Sequence, residues 1–186
     1  ISKVVFGKKE VIQLTVTAIL AGGDVLFEDV PGVGKTLLVK TIAKALQSDY
    51  NRVKFTPDLL PNDILGVSIF DQREHEFRFH QGPIFTSLLL ADEINRTTPK
   101  TQAALLEAMA EKKITIDNKT YNLSPHFCVL ATQNPIEFEG TYALPEAQVD
   151  RFLLRLKIGY PEFEDELNLV LGGSREDLEV NPIINT

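Results

Sequence analysis

The sequence has little of what several structural classes require. Cys128 is the single cysteine, tryptophan is absent, and methionine occurs only at Met109. One thiol cannot form an internal disulfide framework, so the composition is typical of a reducing compartment and we expect a cytoplasmic location. No run approaches the ~18 apolar residues of a membrane-spanning helix. The three histidines lack the spacing of metal ligands.

What the sequence does contain is the composition of one globular domain. Its 186 residues are 44% hydrophobic and 24% charged, with a net charge of −7. This length suffices for an α/β domain that buries about 70% of its unfolded surface. The acidic balance argues against a large nucleic-acid footprint, so we expect no nucleic-acid partner. Because the chain starts at Ile1 without an initiator methionine, we expect a trimmed part of a longer product.

Apolar runs alternate with helical stripes, which predicts an α/β fold whose parallel sheet is buried on both faces. The predicted helices cover residues 8–21, the stretch after residue 34, and the stretch after Thr98, where Thr98 is the N-cap and Pro99 the first helical residue. Two alternating stretches, 67–80 and 114–123, are predicted to be β-hairpins. The five strands of the sheet are predicted at 25–28, 52–56, 88–91, 127–131 and 152–158.

A phosphate-binding loop follows the first predicted strand. Residues 30–36 read VPGVGKT, and Gly32 and Gly34 let backbone N–H groups point at phosphate oxygens. Lys35 adds a positive charge, and Thr36 offers a hydroxyl to Mg²⁺ at the start of a helix. The loop therefore predicts a nucleotide site. Asp29 stands where the usual pattern has glycine, so its side chain is expected to face away from the phosphates.

Two carboxylates, Asp92 and Glu93, end the apolar run LLLA at residues 88–91. In phosphate-loop proteins the aspartate supports Mg²⁺ from the tip of the neighbouring strand. The adjacent glutamate can polarise a water molecule for attack on the γ-phosphate. A strand that merely ends in solvated acids would give the same letters, but the loop upstream favours the catalytic interpretation.

Three polar residues near strand ends are further candidates. Asn134 follows the fourth strand, where strand tips gather around a ligand, and is predicted to hold the attacking water. Arg151 precedes the fifth strand, far along the sheet from its own loop. Two interpretations of Arg151 stay open: it reaches the nucleotide of a neighbouring subunit, or it pairs with Asp150 at the surface. Arg96 is equally open between a subunit interface and a local ion pair.

Taken together, the motifs resemble those of AAA+ ATPases, and more closely those of the MoxR family. The resemblance covers nearly all of residues 4–161 and implies a P-loop NTPase core over 1–160 and an incomplete C-terminal helical lid over 161–186. The matching stretches are LFEDVPGVGKT (26–36), GPIFTSLLLADEINR (82–96), TQAALLEAM (101–109), ATQNP (131–135) and GTYALPEAQVDRFL (140–153).

The resemblance also implies a role for each candidate residue. The implied roles are Walker A lysine and metal threonine for Lys35 and Thr36, Walker B for Asp92 and Glu93, sensor 1 for Asn134, and the finger acting in trans for Arg151. Nucleotide contacts are implied for Val5, Pro31, Gly32, Val33, Gly34, Lys35, Thr36 and Leu37. The hairpins at 67–80 and 114–123 resemble the helix-2 insert and the pre-sensor hairpin of this clade.

The activity implied by the resemblance is Mg²⁺-dependent ATP hydrolysis by a ring, expected to be a hexamer, that remodels a partner protein. Relatives of this kind act with proteins that carry a von Willebrand factor A domain. Two alternatives remain at this point. A nucleic-acid-stimulated motor is disfavoured by the acids Asp71, Glu74 and Glu76 beside the arginines of the first hairpin. An adaptor that binds ATP without turnover is disfavoured by Glu93.

Overall fold

A computed structural model describes residues 1, 7–28, 34–134 and 140–159. The predicted lid, 161–186, lies outside the described residues. The helices are α1 (Lys9–Leu20), α2 (Lys35–Ala45), α3 (Pro61–Leu65), α4 (Pro99–Glu111) and α5 (Glu146–Val149). The strands are β1 (Val25–Glu28), β2 (Tyr50–Lys54), β3 (Gly66–Asp71), β4 (Glu76–Gln81), β5 (Leu88–Asp92), β6 (Lys113–Ile116), β7 (Lys119–Asn122), β8 (Cys128–Gln133) and β9 (Leu154–Leu156).

The centre of the fold is a five-stranded parallel sheet in the order β2-β5-β8-β1-β9. Every residue of β1 is buried, as are nearly all residues of β5 and β8. Leu26 and Leu89 belong to the core cluster that includes α4, whereas Phe27 and Leu90 belong to the cluster that includes α1 and α2. The prediction of a parallel sheet buried on both faces is therefore confirmed.

Two antiparallel hairpins, β3–β4 and β6–β7, are inserted into this core at the predicted places. Phe79 of the first hairpin stacks on Tyr121 of the second, with ring centroids 4.2 Å apart. At the other end of the first hairpin, Phe70 and Phe77 form an exposed edge-to-face pair. The hairpins thus contact each other through aromatic rings while the first presents an apolar surface to solvent.

Local capping explains one success and one failure of the sequence-based assignment. Thr98 caps α4 by accepting a 3.5 Å hydrogen bond from the Thr101 amide, as predicted. The predicted helices include none near residue 60, yet α3 begins at Pro61. Asp63 there accepts a 2.8 Å hydrogen bond from the Leu60 amide, and proline needs no amide partner in a first helical turn. Among the described helices, none is long and apolar enough to cross a membrane.

Asp24, the residue before β1, connects the start of three strands. Its Oδ1 accepts a 2.7 Å hydrogen bond from the Val129 amide in β8, and its carbonyl accepts one of 2.8 Å from the Leu153 amide next to β9. Lys112 Nζ, at the end of α4, lies 3.9 Å from Asp24 Oδ2. Burial raises the pKa of Asp24 from 3.8 to about 6, against the opposing effects of the Val129 amide and Lys112. The ionised carboxylate is therefore less favourable in the folded chain than in the unfolded chain.

We expect Asp24→Asn to stabilise the protein increasingly as pH rises from 4 to 7. The contribution of wild-type Asp24 to the free energy of unfolding is fully present below pH 3.8 and is lost as pH rises through about 6. This loss of stability amounts to on the order of 3 kcal/mol. Asparagine does not titrate, and its side-chain oxygen still accepts the hydrogen bond from the Val129 amide. Urea unfolding of wild type and variant across this pH range measures the difference. The exposed Asp117→Asn is the control, and a difference for Asp24→Asn that stays constant with pH would contradict the prediction.

Candidate functional site

The motif residues gather at the carboxyl edge of the sheet. Asp92 ends β5, and Thr132 and Gln133 end β8, which pairs with β1 at its last residue, Glu28. The expectation that Asp92 lies on the strand next to the loop strand is wrong in detail, because β8 lies between β1 and β5. The order arises because the chain passes from β1 to β2, which lies at the far edge of the sheet. It then returns through β5 and β8, which fill the space between β2 and β1.

The start of α2 faces this same edge, since α2 follows β1 in the chain. Gly34 is its N-cap with φ 84° and ψ 18°, a left-handed conformation that favours glycine. Lys35 and Thr36 form the first turn and are partly buried together with Leu37. The free N–H groups of a helix start attract anions. The remaining predicted contacts, Val5, Pro31, Gly32 and Val33, lie outside the described residues, as does Asp29.

Thr132 joins the tips of β5 and β8. Its hydroxyl donates a 2.8 Å hydrogen bond to Asp92 Oδ1 and accepts one of 2.8 Å from the Glu93 amide. The side chain thereby fixes the orientation of the Asp92 carboxylate and the backbone of the next residue. Asp92 Oδ2 lies 2.5 Å from Arg52 Nη2 in β2, so both carboxylate oxygens have partners. Sequence analysis overlooked Thr132 because threonine is common in strands and a hydroxyl alone predicts no chemistry.

Glu93 has a left-handed backbone, with φ 59° and ψ 47°, which is uncommon for a residue with a side chain. The conformation turns the chain sharply after β5. Glu93 Oε2 lies 3.1 Å from Arg96 Nη1 and 3.8 Å from Lys54 Nζ. The local ion pair proposed as one alternative for Arg96 is thus present.

Asn134 is buried, and its backbone is held by Asn95. Asn95 Nδ2 donates to the Asn134 carbonyl at 3.1 Å, and the Asn134 amide donates to Asn95 Oδ1 at 3.4 Å. Gln102 of α4 supports the same region, because its Nε2 donates to the carbonyls of Ile94 at 3.1 Å and Tyr142 at 2.9 Å. Asn95 and Gln102 were missed by the sequence analysis, which offers no signal for contacts between residues about forty positions apart.

Arg151 lies near the end of the sheet where the strands begin, whereas the start of α2 lies near the end where they finish. The strand that follows Arg151, β9, is the neighbour of β1, so the expected separation across several strands is wrong. The separation runs along the strands instead, because Leu154 pairs with Val25 at the start of β1. Four residues of strand span about 13 Å, which puts Arg151 far from the start of α2. Its Nη1 donates a 2.6 Å hydrogen bond to the Leu106 carbonyl in α4.

A cleft of about 440 Å³ also lies away from the motif residues. Leu20, Leu46, Ser87 and His126 are among its lining residues, and they belong to the edge where the strands begin. This cleft contains no residue of the predicted site. The motif residues therefore mark the candidate site better than cavity volume does.

The candidate site contains oxygen ligands suited to Mg²⁺, namely the Thr36 hydroxyl and the Asp92 carboxylate. Across residues 7–28, 34–134 and 140–159, no three or more His, Cys, Asp or Glu side chains cluster as a metal site. Two protein oxygens are typical of a Mg²⁺ that takes its other ligands from water and nucleotide phosphates. The Arg52 pair shows that Asp92 Oδ2 is an oxygen where a cation can lie.

Comparisons with known proteins identify the family and the fold. The family model of the ATPase family associated with various cellular activities (AAA) matches residues 24–154. The crystal structure of a Cytophaga hutchinsonii protein with an ATPase assignment superposes with a TM-score of 0.84 at 47% identity. The match covers 96% of this chain and 54% of that one.

Relatives in sequence carry more specific names. The chain is 55% identical over 170 residues to YeaC of Bacillus subtilis (strain 168), with 91% of this chain and 53% of YeaC covered. Chaperone MoxR1 of Mycobacterium tuberculosis is 45% identical over 91% of this chain and 45% of its own length. MoxR of Methylorubrum extorquens is 36% identical over 87% and 48%, respectively. The chain thus spans about half the length of these relatives, and it belongs to the MoxR family of AAA+ ATPases.

Proposed function

We propose that the protein binds ATP with Mg²⁺ and hydrolyses it at the carboxyl edge of the sheet. The observation that carries the proposal is the Thr132 hydroxyl, which hydrogen-bonds both Asp92 Oδ1 and the Glu93 amide. A single side chain thus sets the metal-binding carboxylate and the candidate base relative to each other. Such preorganisation is what catalysis by positioning and electrostatics requires in phosphoryl transfer.

Each residue then has a distinct part in the reaction. Lys35 and the N–H groups at the start of α2 bind the phosphates. Thr36 and Asp92 hold Mg²⁺, which supplies charge neutralisation on the β- and γ-phosphates when bound. Glu93 accepts the proton of the attacking water, and Asn134 orients that water. Val5, Pro31, Gly32, Val33, Gly34 and Leu37 complete the proposed contacts with the nucleotide.

The site is completed by a second subunit in this proposal. Arg151 lies at the edge of the sheet opposite its own α2 start, which favours action on a neighbour's nucleotide. A ring places every such arginine at the next nucleotide, and we propose a hexamer. The 2.6 Å bond from Arg151 to the Leu106 carbonyl leaves its other guanidinium nitrogen atoms able to contact phosphate.

The proposed role of turnover is chaperone-like remodelling of a partner protein in the cytoplasm. The name of the M. tuberculosis relative supports a chaperone, and the family resemblance suggests a partner with a von Willebrand factor A domain. A nucleic-acid motor is less favoured by the first hairpin. Arg78 there lies 3.6 Å from Asp71 and 3.3 Å from Glu76 and also pairs with Glu74, so carboxylates surround its charge.

The test is the steady-state ATPase rate per subunit of the full-length protein, measured across protein concentration. We expect the rate to rise with assembly, because each site needs the arginine of another subunit. Lys35→Ala is expected to lose ATP binding, whereas the outward-facing Lys40→Ala of the same helix retains it. A rate per subunit that stays flat through oligomerisation would contradict the shared site, and equal activity of Lys35→Ala would contradict the proposed site itself.

A further inference from the structure

Arg52 occupies the carboxylate that is proposed to hold Mg²⁺. Its Nη2 lies 2.5 Å from Asp92 Oδ2, while Asp92 Oδ1 accepts the hydrogen bond from Thr132. The two oxygens therefore differ: Oδ1 is used to fix the carboxylate, and Oδ2 is used by a positive charge. A metal ion that approaches Asp92 through Oδ2 meets the guanidinium there.

We propose that Arg52 competes with the divalent cation for Asp92 Oδ2 and so lowers the affinity of the site for the metal. The inference rests on the proposed function, because it takes Asp92 as the metal-binding residue. Arg52 is thus a positioning residue that keeps the carboxylate paired in the nucleotide-free protein and releases it when the metal arrives.

Exposure shows which partner can move. The side chain of Arg52 is 44% exposed, whereas that of Asp92 is 14% exposed and is bound to Thr132. The arginine can therefore turn into water while the carboxylate keeps its orientation. An ion pair with one exposed partner is weak, so a doubly charged ion can displace it. Because the pair is weak, its effect on metal affinity is expected to be modest and measurable.

Lys54 provides a comparison on the same strand. It pairs with Asp92 in the strand register, but its Nζ lies 3.8 Å from Glu93 Oε2 and approaches the other acid. Removal of its charge changes the local potential without freeing Asp92 Oδ2. Lys54→Gln thus separates competition for the oxygen from general electrostatic repulsion of the cation.

A similar ion pair involves β9, the other edge strand of the sheet. Arg155 in β9 lies opposite Leu26 and reaches two residues along β1 to pair with Glu28. Arg52 in β2 lies opposite Leu90 and reaches two residues along β5 to Asp92. Both arginines are thus on edge strands and pair diagonally with a carboxylate at a strand tip. Arg155→Gln removes the same contact where no metal is proposed.

The experiment measures Mn²⁺ binding by electron paramagnetic resonance in the full-length protein with ADP bound. We expect Arg52→Gln to lower the dissociation constant of Mn²⁺ about threefold to fivefold, the range that an exposed ion pair allows. Arg155→Gln is expected to leave it unchanged, and Lys54→Gln to lower it less than Arg52→Gln does. ADP avoids turnover, so the readout is independent of activity.

Equal dissociation constants for wild type and Arg52→Gln would overturn the competition, as would equal tightening by Lys54→Gln. An absence of nucleotide-dependent Mn²⁺ binding in the wild type would instead overturn the proposed function. Thermal unfolding of each variant shows whether it folds. If Arg52→Gln does not fold, Arg52→Lys, with its shorter reach and single donor group, is expected to give a smaller shift in the same direction, and no shift would overturn the proposal.

Discussion

Glu93→Gln is expected to keep ATP bound and to lose turnover by about 100-fold or more, the usual contribution of a general base. The amide cannot accept the proton of the attacking water, although it has the same shape as the acid. The hydrogen bond from residue 93 to Thr132 Oγ1 uses the backbone amide, so the substitution does not remove it. The left-handed turn after β5 is therefore expected to persist, and the loss falls on the chemical step.

Single-turnover hydrolysis of radiolabelled ATP separates this step from binding and product release. Glu111→Gln is a matched control, because Glu111 is exposed at the end of α4 and pairs with Lys113. We expect the control to behave as wild type. Equal single-turnover rates for wild type and Glu93→Gln would contradict the role of Glu93 as base and would support an adaptor that binds ATP without using it.

Arg151→Ala is expected to bind ATP normally and to lose turnover by about 1,000-fold, the lower range for an arginine finger. The arginine is remote from its own α2 start, so the defect should appear only in the neighbour's site. Mixing Arg151→Ala subunits with Glu93→Gln subunits tests this directly. Subunits with Glu93→Gln keep a working Arg151, and subunits with Arg151→Ala keep a working Glu93, so mixed rings contain some complete sites.

We therefore expect the two inactive variants to regain ATPase activity when they are mixed. Asp150→Asn is the control for the alternative that Arg151 serves only a surface ion pair, and it is expected to remain active. Thermal unfolding of Arg151→Ala shows whether the lost hydrogen bond to the Leu106 carbonyl destabilises the fold. Mixtures that stay inactive, or an Asp150→Asn variant as impaired as Arg151→Ala, would be incompatible with a finger acting in trans.

Much of the fold was predictable because its signals are local. The apolar runs before Asp92 and Asn134 mark buried strands, and Thr98 followed by Pro99 marks a helix start. Strand order was not predictable in the same way. Whether β5 or β8 pairs with β1 depends on contacts across the whole chain, which alternation does not contain.

The residues of the candidate site likewise fall into a group with local signals and a group without them. Lys35, Asp92 and Glu93 belong to short motifs whose chemistry can be read from the letters. Thr132 and Gln102 are ordinary polar residues in sequence, and their importance comes from hydrogen bonds formed about forty residues away. A sequence thus identifies the candidate ligand-contacting residues more readily than the residues that hold them in place.

The stacked hairpins have a mechanical consequence. The first hairpin leads directly into β5 and the second into β8, the two strands whose tips carry the candidate catalytic residues. Ser87 and Ser124, just before those strands, have their hydroxyl oxygens 3.1 Å apart. A force applied to either hairpin is therefore shared through the Phe79–Tyr121 stack and passes along two parallel, hydrogen-bonded strands. In this arrangement, a displacement of either hairpin would be transmitted along β5 and β8 to the candidate site.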